Sequence, residues 1–427
     1  MNLTEENELE DIEEQEVLRE EKRKLPFWLG ILVGITAAFV AALVLVIVTG
    51  FKLQSTASGT GTAGSQSTAS VTSVARYETK LNAISAYIDK YYLGDVDEST
   101  MEEALCDGLI AGLDDKYAKY YTAEEYEELV ESTNGSYYGI GVGILEEEDT
   151  GKVLVTYVYD DSPAKEAGMQ TGDYIIEAEG VRDFEDIDAL IELVKGEEGT
   201  EVSIVVERDG EEIAMTMKRA VIETETVAWE MLDGNIGYIY IAEFDKVTTN
   251  QFNKALDELT EQGMESLILD LRYNPGGDYD TVVAMADRVL PEGVIMTVKD
   301  KSGTVITENS TNEEYIDIPM CVLVNESSAS AAEVFAGAIQ DYGIATIIGK
   351  TTYGKGVVQS IFRLYDGSAM KFTVEEYYTP SGDSIHGVGV IPDIEVDLPE
   401  DADSNGNGVI DLEEDTQLQA AIAELTK

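Results

Sequence analysis

At 427 residues the chain has room for two or three domains and a sizeable core. It carries 85 acidic against 28 basic residues, a formal charge of −57, and so acidic a surface repels phosphate backbones and anionic lipid, which argues against nucleic acid as a partner. Two cysteines and one histidine exclude a disulfide framework and a Cys₂His₂-type zinc site, and leave a Ser-His-Asp triad only His386 to draw on.

Ten of the acids fall in the first 21 residues, and residues 1–24 read as a disordered acidic tail. Residues 25–51 contain no charged side chain and are mostly apolar, long enough to span a bilayer as one transmembrane helix. Lys22, Arg23 and Lys24 precede it, which places the tail in the cytoplasm and everything after residue 52 outside it. Residues 52–73, uncharged from Gln54 on and rich in Ser, Thr, Gly and Ala, read as a flexible tether with a reach of roughly 25 Å.

Residues 74–135 are helical in pattern, with stripes through Leu81, Ile84 and Ile88, then Met101, Leu105 and Leu109, then Tyr126, Leu129 and Val130. Such stripes pack against the main domain or a second copy of the chain, so a homodimer is one reading. Cys106 and Cys321 sit in apolar patterns and read as buried free thiols.

Residues 136–220 change to short strands with one helix. The spacing Ser162-Pro163-Ala164, Ala167-Gly168, Gly172-Asp173 resembles a PDZ domain. That resemblance implies that a peptide C-terminus is taken up as an added strand, its carboxylate held by backbone N–H groups of Gly139, Ile140, Gly141 and Val142. The plainer alternative is that these glycines only make a turn.

From residue 221 to 398 strands and helices alternate, the pattern of a layered α/β core. Strands are predicted at 236–241, 267–271, 320–324, 345–348 and 356–362, with helices along Phe252 to Leu259, Thr281 to Leu290 and Val334 to Ile339. Between one strand and its helix lies Asn325-Glu-Ser-Ser-Ala-Ser330-Ala-Ala-Glu333. A serine at a strand-to-helix junction stands among unpaired N–H groups at the positive end of a helix dipole, a setting for a nucleophile whose substrate develops an oxyanion. Ser330-Ala-Ala-Glu333 also has the spacing of a capping box, and by itself the cap is the commoner meaning.

With histidine nearly absent, a serine nucleophile needs another base, and a lysine serves once burial disfavours its ammonium form. Lys355, in Tyr353-Gly-Lys-Gly356, is the candidate; alone it would read as a surface lysine in a glycine turn. Three other motifs are set aside. Ser162-Pro-Ala-Lys165 belongs to the PDZ pattern, the glycines 343 and 349 are one residue too far apart for a P-loop, and Gly139-x-Gly141-x-Gly143 lacks a following helix.

Taken together, Asn274-Pro-Gly-Gly277, the Ser330 stretch, Thr351-Thr-Tyr-Gly-Lys-Gly-Val-Val-Gln359 and Ile385-His-Gly-Val-Gly-Val-Ile-Pro392, behind a PDZ unit, resemble the C-terminal (tail-specific) processing peptidases, serine peptidases with a Ser-Lys dyad. The resemblance runs from about Val74 to Asp397. It implies Ser330 as nucleophile, Lys355 as general base and Gln359 as the group that holds the lysine. For the oxyanion hole it implies N–H groups of Ala331 and of Gly276 or Gly277, with Gly276 favoured. No cofactor is required for this chemistry, and His386 receives no catalytic role.

Residues 399–427 lie mostly beyond the resemblance. Asp403, Asn405, Asn407, Asp411 and Glu414 stand at positions 1, 3, 5, 9 and 12 of an EF-hand-like loop, with Gly408 at 6 and the carbonyl of Val409 at 7, so a structural calcium ion is one reading and a solvated linker the other. A last helix is predicted over 416–425.

The sequence thus describes an α/β (α+β) peptidase core with an inserted, mostly-β PDZ domain and an N-terminal transmembrane helix. It reads as a serine endopeptidase anchored in a bacterial cell membrane by a single pass, its catalytic part extracytoplasmic, acting on proteins with apolar C-termini. The alternatives are a non-catalytic PDZ scaffold that docks C-termini at the envelope, and a calcium-binding envelope module.

Overall fold

The computed structural model describes residues 74–147, 150–311, 315–399 and 414–427. The predicted tail, apolar span and tether lie outside them, as do Asp403, Asn405, Asn407, Val409 and Asp411 of the predicted calcium loop. Among the described residues no helix is long and apolar enough to cross a membrane, and no group of three or more His, Cys, Asp or Glu side chains could hold a metal ion.

The helical region is α1 (Val74–Tyr91), α2 (Glu98–Ala111), a short strand β1 (Lys119–Tyr121) and α3 (Ala123–Asn134). Asp97 caps α2 by accepting from Ser99 and Thr100 N–H. Thr122 and Glu125 form a reciprocal capping box on α3, and Gly135 ends that helix in the left-handed conformation at φ 66°. The stripe on α1 finds no cover within the described chain: Tyr77, Leu81, Ile84 and Tyr87 stay 39–67% exposed.

β2 (Ser136–Gly139) leads into the PDZ unit: β3 (Val142–Glu146), β4 (Val153–Val158), the single turn α4 (Pro163–Glu166), β5 (Tyr174–Ala178), α5 (Ile187–Val194), β6 (Glu201–Arg208) and β7 (Glu211–Lys218). The strands pair in the order β3-β4-β5-β6-β7, all antiparallel, so β3 is an open edge. Strand alternation builds its core: Val202, Ile204 and Val206 of β6 are fully buried with Val155 and Leu190, while Glu201 and Ser203 point outward. β8 (Ala220–Glu223) pairs with β2, so the two ends of the insertion are clasped together.

The core follows as β9 (Val227–Leu232), β10 (Ile236–Ile241), α6 (Thr248–Glu261), β11 (Ser266–Asp270), α7 (Tyr279–Val289), β12 (Gly293–Asp300), β13 (Val305–Ser310), β14 (Met320–Val324), α8 (Ala331–Tyr342), β15 (Ala345–Gly349), β16 (Val357–Arg363), β17 (Ala369–Tyr378), β18 (Ile394–Glu395) and α9 (Thr416–Leu425). One sheet runs β18-β15-β14-β11-β10-β9, parallel except at β9. Its central strands β10, β11 and β14 are buried on both faces. Leu267 and Leu269 pack with the residues of α6, α7 and α8, while Ile268, Cys321 and Ile348 face Leu418 and Ala421 of α9.

A second sheet, β1-β17-β12-β13 with β16 on β17, is antiparallel and was only partly legible. Apart from β16, its strands mix charged and half-exposed residues with apolar ones, as in Val305-Ile-Thr-Glu-Asn-Ser310. α9 is tied down by a buried ion pair: Arg272 donates to Asp270, and to Asp415 at 2.8 and 3.0 Å, with all three residues at most 5% exposed.

Candidate active site

The loops that leave the C-terminal ends of two neighbouring parallel strands, β11 and β14, meet at Ser330, the usual place for chemistry on a parallel sheet. The β14 loop is fastened by its polar side chains. Asn325 Oδ1 accepts from Tyr273 N at 2.9 Å and Ser327 N at 3.1 Å. Ser328, fully buried, accepts from Asn325 N and donates to Leu271 O at 2.7 Å. Ser328 is therefore spent on structure, and Ser330 is the serine left facing the cavity.

Ser330 has φ 54° and ψ −115°, a conformation costly for any residue with a Cβ and one found where surrounding structure enforces it. Its backbone is held on both sides: the Tyr377 hydroxyl donates to Ser330 O at 3.1 Å, Glu333 N donates to the same oxygen at 2.9 Å, and Ser330 N donates to Glu333 Oε2 at 2.9 Å.

Glu333 was seen in the sequence only as the far end of a capping box, and it does far more. Its side chain is fully buried and gathers four donors: Thr352 Oγ1 at 2.5 Å and Gly354 N at 2.6 Å on Oε1, Ser330 N and Lys355 N (2.8 Å) on Oε2. One carboxylate oxygen thus bridges the backbones of the predicted nucleophile and the predicted base. The signal available in sequence was an acid one helical turn from the serine, which a cap explained equally well.

Lys355 and Ser330 line the same cavity of about 460 Å³. The lysine amine lies 4.9 Å from the centre of the Tyr117 ring and is not hydrogen-bonded to Ser330. Burial, together with the nearby cations Lys371 and Lys116, lowers its pKa to about 8, against the opposing pull of Glu333 and Asp115. A neutral amine, the form a general base requires, is thereby reached at lower pH than for a free lysine. Gln359 also lines the cavity, but its amide donates to Val357 O and Thr373 Oγ1, each at 3.3 Å, and not to Lys355. A register shift between Val358 and Gln359 in the β16–β17 pairing re-aims the chain there.

The oxyanion side is equally crowded. Gly276 has φ 104°, and a Cβ on it would fall 2.7 Å from Ser330 Cβ and 2.9 Å from Ala331 N, so only glycine fits. Its N–H, however, donates to Asn274 Oδ1 at 2.8 Å. The neighbouring Gly277 N–H has no hydrogen-bond partner among the described residues and borders the cavity, so in this conformation Gly277, not the favoured Gly276, offers the free donor beside Ala331. Ala331 is the first residue of α8, where an N–H has no partner within the helix.

The motifs set aside in the sequence and the remaining predicted sites fall elsewhere. Ser162 is buried and accepts from Lys165 N, while Lys165 pairs with Asp160, which removes that pair from chemistry. His386 is exposed and does not line the cavity. In the PDZ unit, Gly139 still pairs in β2, Ile140 is buried, Gly141 takes φ 78° and Val142 opens the edge strand β3. Glu414 is described, without the rest of its predicted loop.

A model of peptidase family S41 matches residues 235–396, and a PDZ domain model matches residues 154–208. A "Probable CtpA-like serine protease" of Staphylococcus epidermidis is 34% identical over 324 residues, covering 75% of this chain and 65% of that protein. The "Carboxy-terminal processing protease CtpA" of Bacillus subtilis is 35% identical over 325 residues, covering 75% of this chain and 69% of the relative. The chain therefore spans just under two thirds of the staphylococcal relative's length. A crystal structure of an S41 protease from Bacteroides fragilis, 20% identical with a TM-score of 0.50 over 79% of this chain and 92% of that one, shares the fold.

Proposed function

The chain belongs to the carboxy-terminal processing proteases of peptidase family S41, and on that footing we propose that it is a membrane-anchored serine endopeptidase that cleaves through a Ser330–Lys355 dyad. The observation that carries the reading is a strained serine at a helix N-terminus, sharing its cavity with a lysine whose pKa is lowered to about 8.

Lys355 swings from the Tyr117 ring to Ser330 and takes the hydroxyl proton as Oγ attacks the scissile carbonyl. The N–H groups of Ala331 and Gly277 stabilise the oxyanion, Lys355 returns the proton to the leaving amine, and water hydrolyses the ester. The open edge of β3, with the 139–142 loop at its start, supports uptake of an apolar substrate C-terminus as an added strand. The swing required of Lys355 is the step that PDZ occupancy controls in this reading. The apolar span 25–51 anchors the chain with its catalytic part outside the cytoplasm, and a calcium ion in the 403–414 loop would be structural only.

The full chain tests this directly. Ser330→Ala and Lys355→Ala are each expected to abolish cleavage of a peptide with an apolar C-terminus, while Ser330→Ala still binds it. Undiminished turnover by either variant refutes the dyad.

A further inference from the structure

One end of the catalytic cavity is acidic in a way the dyad does not use. Glu243, Asp245 and Asp278 line it, together with Ser132 and Thr133 from the last turn of α3, the negative end of that helix's dipole. Asp278 is committed as the N-cap of α7, accepting from Thr281. Asp245 is different. It is 6% exposed, and among the described residues neither of its carboxylate oxygens takes a hydrogen bond or an ion pair. Lys246, the adjacent cation on the same loop, is turned away and donates to Asn134 Oδ1 at 2.9 Å.

The Asp245 carboxyl therefore borders the cavity with no donor from the described residues, open to a donor that enters from the cleft. Burial, with Glu243 and Asp278 close by, pushes its carboxyl up to about 8. The place is also close to the reaction. Phe244, its chain neighbour, donates to Gly276 O at 2.8 Å and accepts from Asp278 N at 2.6 Å, so the loop bearing Asp245 is hydrogen-bonded to the loop that borders Ser330.

Resting on the reading of Ser330 as nucleophile, we propose that Asp245, flanked by Glu243 and Asp278, forms a subsite for a cationic side chain, lysine or arginine, of the substrate near the scissile bond. An incoming ammonium or guanidinium supplies the hydrogen-bond donors that Asp245 lacks and neutralises the clustered charge. The three carboxylates do not converge as a metal site among the described residues, which favours an extended organic cation over a divalent ion. Lys355 and Lys371 line the same cavity, so it presents both signs of charge to a substrate, and a basic residue is favoured only where it meets the carboxylates.

The test uses the full chain carrying Ser330→Ala, in EDTA at pH 8.5, and fluorescently labelled peptides with one fixed apolar C-terminus. A single lysine is walked through the positions upstream, each compared with norleucine. At one position lysine is expected to bind about tenfold more tightly, the size of one charge-assisted contact. Adding Asp245→Asn should bring that ratio to about one, and adding Glu243→Gln should by itself lower it about threefold, which keeps the test valid if Asp245→Asn does not fold. Ratios near one at every position, or a lysine preference that survives both substitutions, overturn the subsite. Turnover by the chain with Ser330 intact is read separately: failure to cleave strikes the peptidase reading, whereas the binding ratio judges the subsite.

Discussion

Glu333 offers the sharpest test of how this site is held. Glu333→Gln keeps the shape of the side chain but replaces one acceptor oxygen by an amide NH₂. Each carboxylate oxygen now accepts two donors; an amide NH₂ turned toward Ser330 N and Lys355 N loses two hydrogen bonds, whereas turned the other way it loses that of Gly354 N and can donate to the Thr352 hydroxyl. Hydrogen bonds to a charged group contribute about 1.5–3 kcal/mol each, so with the second orientation preferred the loss in stability should be about 1.5–3 kcal/mol, read from denaturant midpoints. A merely structural role predicts only that. The electrostatic role predicts more, because the Glu333 charge holds the Lys355 pKa up. Without it, whatever activity remains should show its rising pH limb below pH 8, while kcat falls as the tether common to Ser330 and Lys355 weakens. Wild-type stability, or a limb that stays or moves upward, refutes this reasoning.

Lys371→Gln removes a cation that depresses Lys355, so the pH limb of kcat/KM should move to higher pH with little loss at its plateau; a downward move contradicts the assignment. Gly276→Ala would place a methyl group 2.7 Å from Ser330 Cβ on a backbone at φ 104°, and should abolish turnover at a stability cost of roughly 1–3 kcal/mol, measured by thermal unfolding. Asp415→Ala leaves Arg272 short of one of its two buried carboxylates and uncaps α9; a loss of about 3–5 kcal/mol in urea unfolding is expected, and a change under 1 kcal/mol would show the pair to be idle.

Much of this molecule was legible because local patterns answered to local physics. Leu267-Ile-Leu-Asp-Leu271 and Met320-Cys-Val-Leu-Val324 are continuous apolar runs, and such runs become parallel strands buried on both faces. Ser162-Pro-Ala-Lys165 starts a helical turn because its proline sits at the first helical position. The strands β12, β13 and β17 escaped notice because each is half-exposed and mixes charge with β-branched residues, leaving no period to read. Of the two readings of the α1 stripe, cover by the main domain does not appear among the described residues: a helical stripe specifies an apolar face, and not what covers it.

At the site the division is sharper. The sequence alone determined which serine stands at the strand-to-helix junction, which lysine follows it, and that Asn274-Pro-Gly-Gly277 lies beside them, since each is a matter of residue type and spacing. Only the tertiary structure decided that Glu333 bridges Ser330 and Lys355, that Asn274 occupies the Gly276 N–H and leaves that of Gly277 free among the described residues, that Gln359 bonds Thr373, and that Asp245 borders the cavity with no donor from the described residues. These are facts about which donors and acceptors remain after long-range contacts form. A residue's chemistry is written in the chain, but whether its hydrogen bonds are already spent depends on partners tens of residues away.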